Sequence, residues 1–258
     1  MNGNIHVPMS GTDICTILNS ACGAGLWTMD TAQEYPHHKV IGLDIFNNNN
    51  FVCSTNANGA VVLDKKPTKN IDIYKYGDIT TEWDIPDNSI DIIYQRDAID
   101  KIPKTEWPRL LEQFKRVAKQ GAYIELVEYK FIISDPGPAL ALMNEWHNII
   151  SASIGVDPNQ ADYLEPLLRN SGFEDVKAKK ISIPVGEWPT DKGEREKGFL
   201  YKQVIQTMFK SMRSSWVSEL GITDAEFTKV TNAALSEFEE QHASVEWVIT
   251  TARTPKNN

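Results

Sequence analysis

Short apolar runs alternate with helix-patterned stretches through the first two thirds of the chain, and that rhythm leaves few folds open. "ICTILNS" (14–20), "KVIGLDI" (39–45), "IDIYKYG" (71–77), "IDIIYQ" (90–95) and "AYIELVEY" (122–129) read as buried strands. Between them, "LWTMDTAQEY" (26–35) reads as a helix that stops before Pro36. "KTEWPRLLEQFKRVAKQG" (104–121) sets Trp107, Leu110, Leu111, Phe114, Val117 and Ala118 on one helical face, closed by Gly121 as a C-cap. Near-continuous apolar strands joined by helices predict a parallel sheet covered on both faces, an α/β fold.

Two regions break the rhythm. Residues 46–70 are Asn-rich with little helical periodicity, and read as a long surface loop with a short hairpin at Asn58-Gly59. Residues 190–241 hold two amphipathic helical stretches, the second opened by a Thr223/Glu226 capping box. They fall between strand-like 176–186 and a last strand, 244–253. This places them as a helical insertion over the sheet of a single 258-residue domain, with 130–165 as a second lid segment.

A net charge of −9 argues against a phosphate-gripping nucleic-acid surface. No apolar run reaches the roughly 20 residues of a membrane helix, and the first residues lack the basic and apolar regions of a secretory signal. Cys15, Cys22 and Cys53 have no metal-site or disulfide spacing, so no metal is expected. A cytoplasmic address fits, with a nuclear one left open.

The first strand runs into Ala21-Cys22-Gly23-Ala24-Gly25, a glycine turn that feeds a helix. A dinucleotide loop needs a third glycine to seat a pyrophosphate, and Thr28 stands there instead. A ligand without phosphate, S-adenosylmethionine, suits this turn better. Either ligand predicts an acid at the end of the second strand, which Asp44 supplies. Asp78, just after the third strand, favours S-adenosylmethionine: its carboxylate can accept from an adenine amino group while Ile79 offers its amide.

Taken in order, "ILNSACGAGLWTMDTAQEYPHHKVIGLDI", "YGDITTEWDIPDNSIDIIYQRDAI" and "WPRLLEQFKRVAKQGAYIELVEY" resemble the successive motifs of class I S-adenosylmethionine-dependent methyltransferases. The likeness is greatest to the fungal branch that includes secondary-metabolism regulators and small-molecule methyltransferases. It extends over about residues 14–253, through "LLRNSGFEDVKAKKISIPVGEWP" and "EWVITTARTPK". The resemblance implies a Rossmann-like seven-stranded sheet, strand seven antiparallel and inserted beside strand five. It implies that Asn19, Ala21, Cys22, Gly23 and Gly25 frame the methionine end of the cofactor, that Asp44 and Ile45 hold the ribose, and that Asp78 and Ile79 hold the adenine. Gln95 and Arg96 would close the cofactor site.

Three positions depart from the family pattern. Asn19 stands where an acid is usual, Ala21 replaces the first glycine, and only about 13 residues precede the first strand where the family usually has covering helices. Methyl transfer needs alignment and dryness more than a fixed catalytic motif. Glu128, at the end of the fifth strand, and His147, on a lid helix, are the candidate bases; Asp97, beside Gln95 and Arg96 at the carboxyl edge of the sheet, is either a site residue or the cap of the short helix that follows it. The expected activity is methyl transfer to a small-molecule O, N or S acceptor. The alternative is a non-catalytic methyltransferase-fold protein acting through a protein partner, and a homodimer would supply cover for the short N-terminus.

Overall fold

The computed structural model describes residues 4–9, 13–45, 70–76, 78–133 and 136–256. Its strands β1 (Thr16–Ser20), β2 (Lys39–Asp44), β3 (Ile71–Tyr76), β4 (Ile90–Arg96), β5 (Ala118–Lys130), β6 (Glu174–Pro184) and β7 (Ser244–Arg253) form one sheet in the order β3-β2-β1-β4-β5-β7-β6. β1 to β5 pair in parallel, and β7 lies antiparallel between β5 and β6. This is the expected seven-stranded arrangement. The expected loop at 46–70 and its hairpin lie, but for Asn70, outside the described residues.

Period two along each strand divides the side chains between two cores. Ile17, Val40, Ile92 and Val127 point to one face, while their neighbours Leu18, Ile41, Ile93 and Leu126 point to the other. The second face is covered by α2 (Trp107–Val117) and α4 (Gln160–Asn170). The predicted stripe of α2 is buried there, with Trp107, Leu110, Leu111 and Phe114 at 1% exposure or less. Each such side chain contributes about 1.5–3 kcal/mol of burial. The first face is covered by α1 (Leu26–Glu34) and by Ile5 and Val7 of an extended strap, residues 4–9. A third core joins Tyr129 and Phe131, at the end of β5, to α3 (Pro138–Ser153), α5 (Lys192–Leu220) and α6 (Asp224–Glu240).

Local chemistry sets the ends of these helices. The Thr223/Glu226 capping box forms in full at α6, and the Asp191 carboxylate caps α5 by accepting from the Glu194 amide at 2.9 Å. Glu237 of α6 accepts from the Ala139 and Leu140 amides, tying α6 to the start of α3. Gly198 lets α5 touch the loop after β6: a Cβ there would lie 2.0 Å from the Gly186 carbonyl oxygen.

Two expectations need correction. α2 ends at Val117 and β5 begins at once, so Gly121 is no C-cap. It sits at φ 69 inside the strand, where the register with β4 slips between Ile90↔Ala118 and Ile92↔Tyr123, as a bulge requires. The lid expected over 130–165 also shrinks. Ala161, Leu164 and Leu168 recur at helical spacing and bury α4 against the sheet, whereas α3 packs with α5 and α6.

Candidate functional site

The turn between β1 and α1 is wound through the left-handed region, with φ of 58 at Ala21, 54 at Gly23 and 76 at Gly25. Glycine adopts this freely, whereas alanine at 21 is strained by about 1 kcal/mol. The strain is held from β2: the Leu43 carbonyl accepts from the Cys22 amide at 2.9 Å, and Asp44 Oδ2 accepts from the Gly23 amide at 2.7 Å. Asp44 is thus the brace of the turn as well as the acid at the end of β2. Burial, reinforced by the Asp44 charge, pushes the Cys22 thiol up to about 12 and leaves it unreactive at neutral pH.

Asn19, Ala21, Cys22 and Gly25 line a cleft of about 170 Å³ that Tyr94 and Arg96 complete from β4. Its wall is a face-to-face stack of Trp27 on Tyr94, with centroids 3.8 Å apart and planes within 4°. Trp27 therefore lines the cleft and packs α1 on the sheet at once. Its indole N–H donates to the Asn4 carbonyl of the strap at 3.2 Å. Asn19 Nδ2 donates to Thr28 Oγ1 at 3.1 Å, so half of this amide is committed to holding β1 to α1.

Ile45, 49% exposed, and Asp78, exposed, occupy the same carboxyl edge of the sheet without lining the cleft. Asp78 Oδ1 accepts from the Thr80 amide and hydroxyl at 2.8 and 2.7 Å, which fixes the turn after β3. Ile79 is half-buried and packs against the second-face core.

Strand parity separates the remaining candidates. Arg96 shares the face of Tyr94 and reaches the cleft, but Gln95 points the other way and is fully buried. Gln95 is bonded to Ser20 Oγ at 3.2 Å and donates to Glu128 Oε1 at 3.2 Å, so it does not close the cofactor cleft. Glu128 is fully buried on that side, and its Oε2 accepts from the Ala98 and Ile99 amides at 3.0 and 3.1 Å. It caps the 3-10 turn at 99–101, the task expected of Asp97, whose side chain makes no such bond. Burial pushes the Glu128 carboxyl up to about 8 against the pull of its three donors. Asp97, at φ 58, has outer atoms in solvent, yet the protein around it and then the Asp100 charge raise it to about 6.

His147 is 6% exposed and stacked on Phe131 at 3.9 Å. Burial pushes it down to about 4, so it is neutral at pH 7. The space beside it, shared with Asp100 and Tyr129, is about 10 Å³, room for about one water. Neither candidate base opens onto the cleft.

Sequence reasoning left Glu125 between facing a loop and pairing with a cation, and named no partner for it. It has the parity of Val127, is fully buried under the strap, and accepts from the His6 and Val7 amides at 2.8 and 3.1 Å and from His6 Nδ1 at 2.5 Å. An acid on a core-facing strand position must find partners, and that signal was present; which residues supply them, 119 positions away, was not.

Comparison with known proteins finds likeness to methyltransferases in sequence and in fold. Residues 17–121 match the family described as "Methyltransferase domain". The secondary metabolism regulator laeA of Aspergillus flavus is 24% identical over 203 residues, covering 76% of this chain and 50% of that protein. The protein-methionine methyltransferase laeA of Emericella nidulans is 20% identical over 202 residues, with the same coverage. The chain spans about half the length of the curated relatives it matches. Among solved structures, Haemonchus contortus phosphoethanolamine N-methyltransferase 2, in complex with phosphomonomethylethanolamine and S-adenosylhomocysteine, superposes with a TM-score of 0.56 at 16% identity. The match covers 96% of this chain and 50% of that one, and is a likeness of fold. Among the described residues no helix is long and apolar enough to cross a membrane.

Proposed function

We propose that the chain, whose residues 17–121 match a methyltransferase-domain family, binds S-adenosylmethionine at the Ala21–Gly25 turn and transfers its methyl group to an acceptor at the carboxyl edge of β4 and β5. The observation that carries this is the brace of the turn by Asp44, which joins a glycine turn to the acid suited to a ribose diol. The methionine end would lie in the cleft, its carboxylate toward the Arg96 guanidinium and its ammonium toward the Asn19 Oδ1. The adenine would extend over Asp78 and Ile79. The cofactor supplies a methyl carbon already activated by its sulfonium; the chain aligns the acceptor and excludes water.

His147 is neutral and walled in, and Glu128 is occupied. This favours a thioether sulfur, which keeps a free lone pair without losing a proton, over alcohols and protonated amines, which must first give one up. A small molecule or a protein side chain can both present such an atom. The relative named as a protein-methionine methyltransferase supports a thioether.

A second reading, a regulator that has lost the cofactor and acts through a protein partner, draws on the strained Ala21 and the half-committed Asn19. Calorimetric titration with S-adenosylmethionine and S-adenosylhomocysteine separates the two. Micromolar affinity, weakened about tenfold or more by Asp44→Ala, is the expected result. No heat at millimolar ligand would leave the regulator reading standing.

A further inference from the structure

Asp97 is the first residue past β4, and its backbone is turned into the left-handed region at φ 58. A residue other than glycine stays there only where its surroundings enforce it, and such strain gathers at functional sites. Here β5 enforces it: the Val127 carbonyl accepts from the Asp97 amide at 3.1 Å, and Glu128 holds the next two amides. Asp97 is thereby fixed between Arg96, which lines the cleft, and the end of β5. Its carboxylate makes no hydrogen bond among the described residues. Of the two cations that act on it, Lys101 pairs with Asp100 and Arg96 serves the cleft. The charge of Asp97 is left without a counter-ion of its own.

Three aromatic side chains from three elements meet at the same edge of the sheet. The Trp247 ring of β7 lies 5.6 Å from the Tyr129 ring of β5, and its indole N–H donates to the Tyr201 hydroxyl of α5 at 2.8 Å. Tyr129 is 7% exposed, and its hydroxyl makes no hydrogen bond among the described residues. That oxygen is not among the sealed, unpartnered ones, so it opens outward. Burial raises both phenols, Tyr201 to about 12, and the Asp97 charge adds to each, behind Asp100 at Tyr129. An unpaired carboxylate and aromatic rings thus stand together beside the cofactor cleft. Both attract a cation, the carboxylate by its charge and the rings by the negative face of their π-systems.

A neutral thioether becomes a cation when it is methylated. Its sulfur lone pair forms the new carbon–sulfur bond, the cofactor's own carbon–sulfur bond breaks with the electron pair left on the cofactor sulfur, and no proton moves. One positive charge therefore passes from the cofactor to the acceptor. We infer that Asp97, with the rings of Tyr129 and Trp247, is the counter-charge that receives the acceptor sulfonium. This rests on the methyl-transfer reading above and names the acceptor class within it. Attraction that grows as the charge arrives is stronger in the transition state than toward the neutral acceptor, so it speeds transfer. An alcohol would leave as a neutral ether, which the carboxylate does not hold.

The test is calorimetric titration of the full chain, first with S-adenosylhomocysteine and then, in the loaded chain, with two probes. N-acetylmethionine amide is a neutral thioether, and N-acetyl-S-methylmethionine amide is the sulfonium it becomes. The sulfonium should bind about tenfold more tightly than the thioether. Asp97→Asn keeps a side chain that tolerates the same φ. It should bring the two probes within about twofold of each other, with the affinity for S-adenosylhomocysteine unchanged. Equal affinity for both probes in the native chain, a preference that survives Asp97→Asn, or no binding of either probe at millimolar concentration would overturn the inference and leave the methyl-transfer reading standing. No binding of S-adenosylhomocysteine would remove that reading and the inference with it.

Discussion

Glu125→Leu should have opposite effects on stability with and without the strap. In the native chain the carboxylate answers three donors, of which the His6 and Val7 amides are main-chain groups held in place by the burial of Ile5 and Val7. Leucine would leave both amides unanswered, at about 1–3 kcal/mol each; a loss near 3 kcal/mol lowers the melting temperature by roughly 6–12 °C for a chain of this size. Now let residues 4–9 be replaced by glycine and serine. The fold loses the burial of Ile5 and Val7, about 1.5–3 kcal/mol apiece, and Glu125 becomes an acid inside the sheet without its partners. In that background Glu125→Leu removes a stranded polar group and should raise stability by about 1–2 kcal/mol. The coupling between the two changes is about 4 kcal/mol, as expected when breaking a pair strands a buried charge. Urea denaturation of the four chains measures it. Equal losses from Glu125→Leu in both backgrounds would mean that the strap does not satisfy this carboxylate.

Two further predictions follow from strain and from titration. Ala21→Gly should stabilise the chain by about 0.5–1 kcal/mol in urea denaturation, because φ 58 no longer opposes a Cβ; a loss of stability would place the strain elsewhere. The second concerns pH. Glu128, raised from 4.5 to about 8, holds its proton in the folded chain after the unfolded chain has released it, so its contribution is full below 4.5 and is lost as pH rises to about 8. His147, lowered from 6.5 to about 4, acts in the opposite sense: its contribution is full above 6.5 and is lost as pH falls to about 4. The two oppose each other up to pH 6.5. Above it Glu128 remains, and stability should fall by about 2 kcal/mol between pH 6.5 and 8. Urea midpoints across that range should decline in the native chain and stay level in Glu128→Gln, whose amide oxygen still accepts; an equal decline in both would assign the titration to another group.

Much of the fold was legible because its signals are local. The stripe from Trp107 to Val117 specifies α2 within its own length, and the alternation of Ile17 with Leu18 or Ile92 with Ile93 names both faces of the sheet. Asp44 and the glycine turn were each readable from their place after successive strands, but the hydrogen bond by which Asp44 braces the Gly23 amide was not. The same period of two, counted along β4 and β5, is enough to part Arg96 from Gln95 and Glu125 from Glu128. Grouping them only as residues near a strand end hides that difference. The strap was out of reach in a different way. Nothing near His6 marks it as a partner for β5, since two amides and an imidazole become complementary to a carboxylate only after the sheet brings them together. Gly121 misled because the sequence of a C-cap and that of a bulge both ask only for a residue free to adopt positive φ.

The position of β7 also sets the order in which the molecule can be completed. Among the described residues β6 pairs with β7 alone, and the free edge of β5 waits for the same strand. In a growing chain, Pro184 leaves the ribosome 60 residues ahead of Ser244, a delay of about 3–12 s at 5–20 residues per second. Through that interval α5 and α6 are made while two strand edges stand open to any passing β segment. A chain that stalls in α6 would carry every residue that lines the cleft beside the glycine turn and lack the strand that seals the sheet.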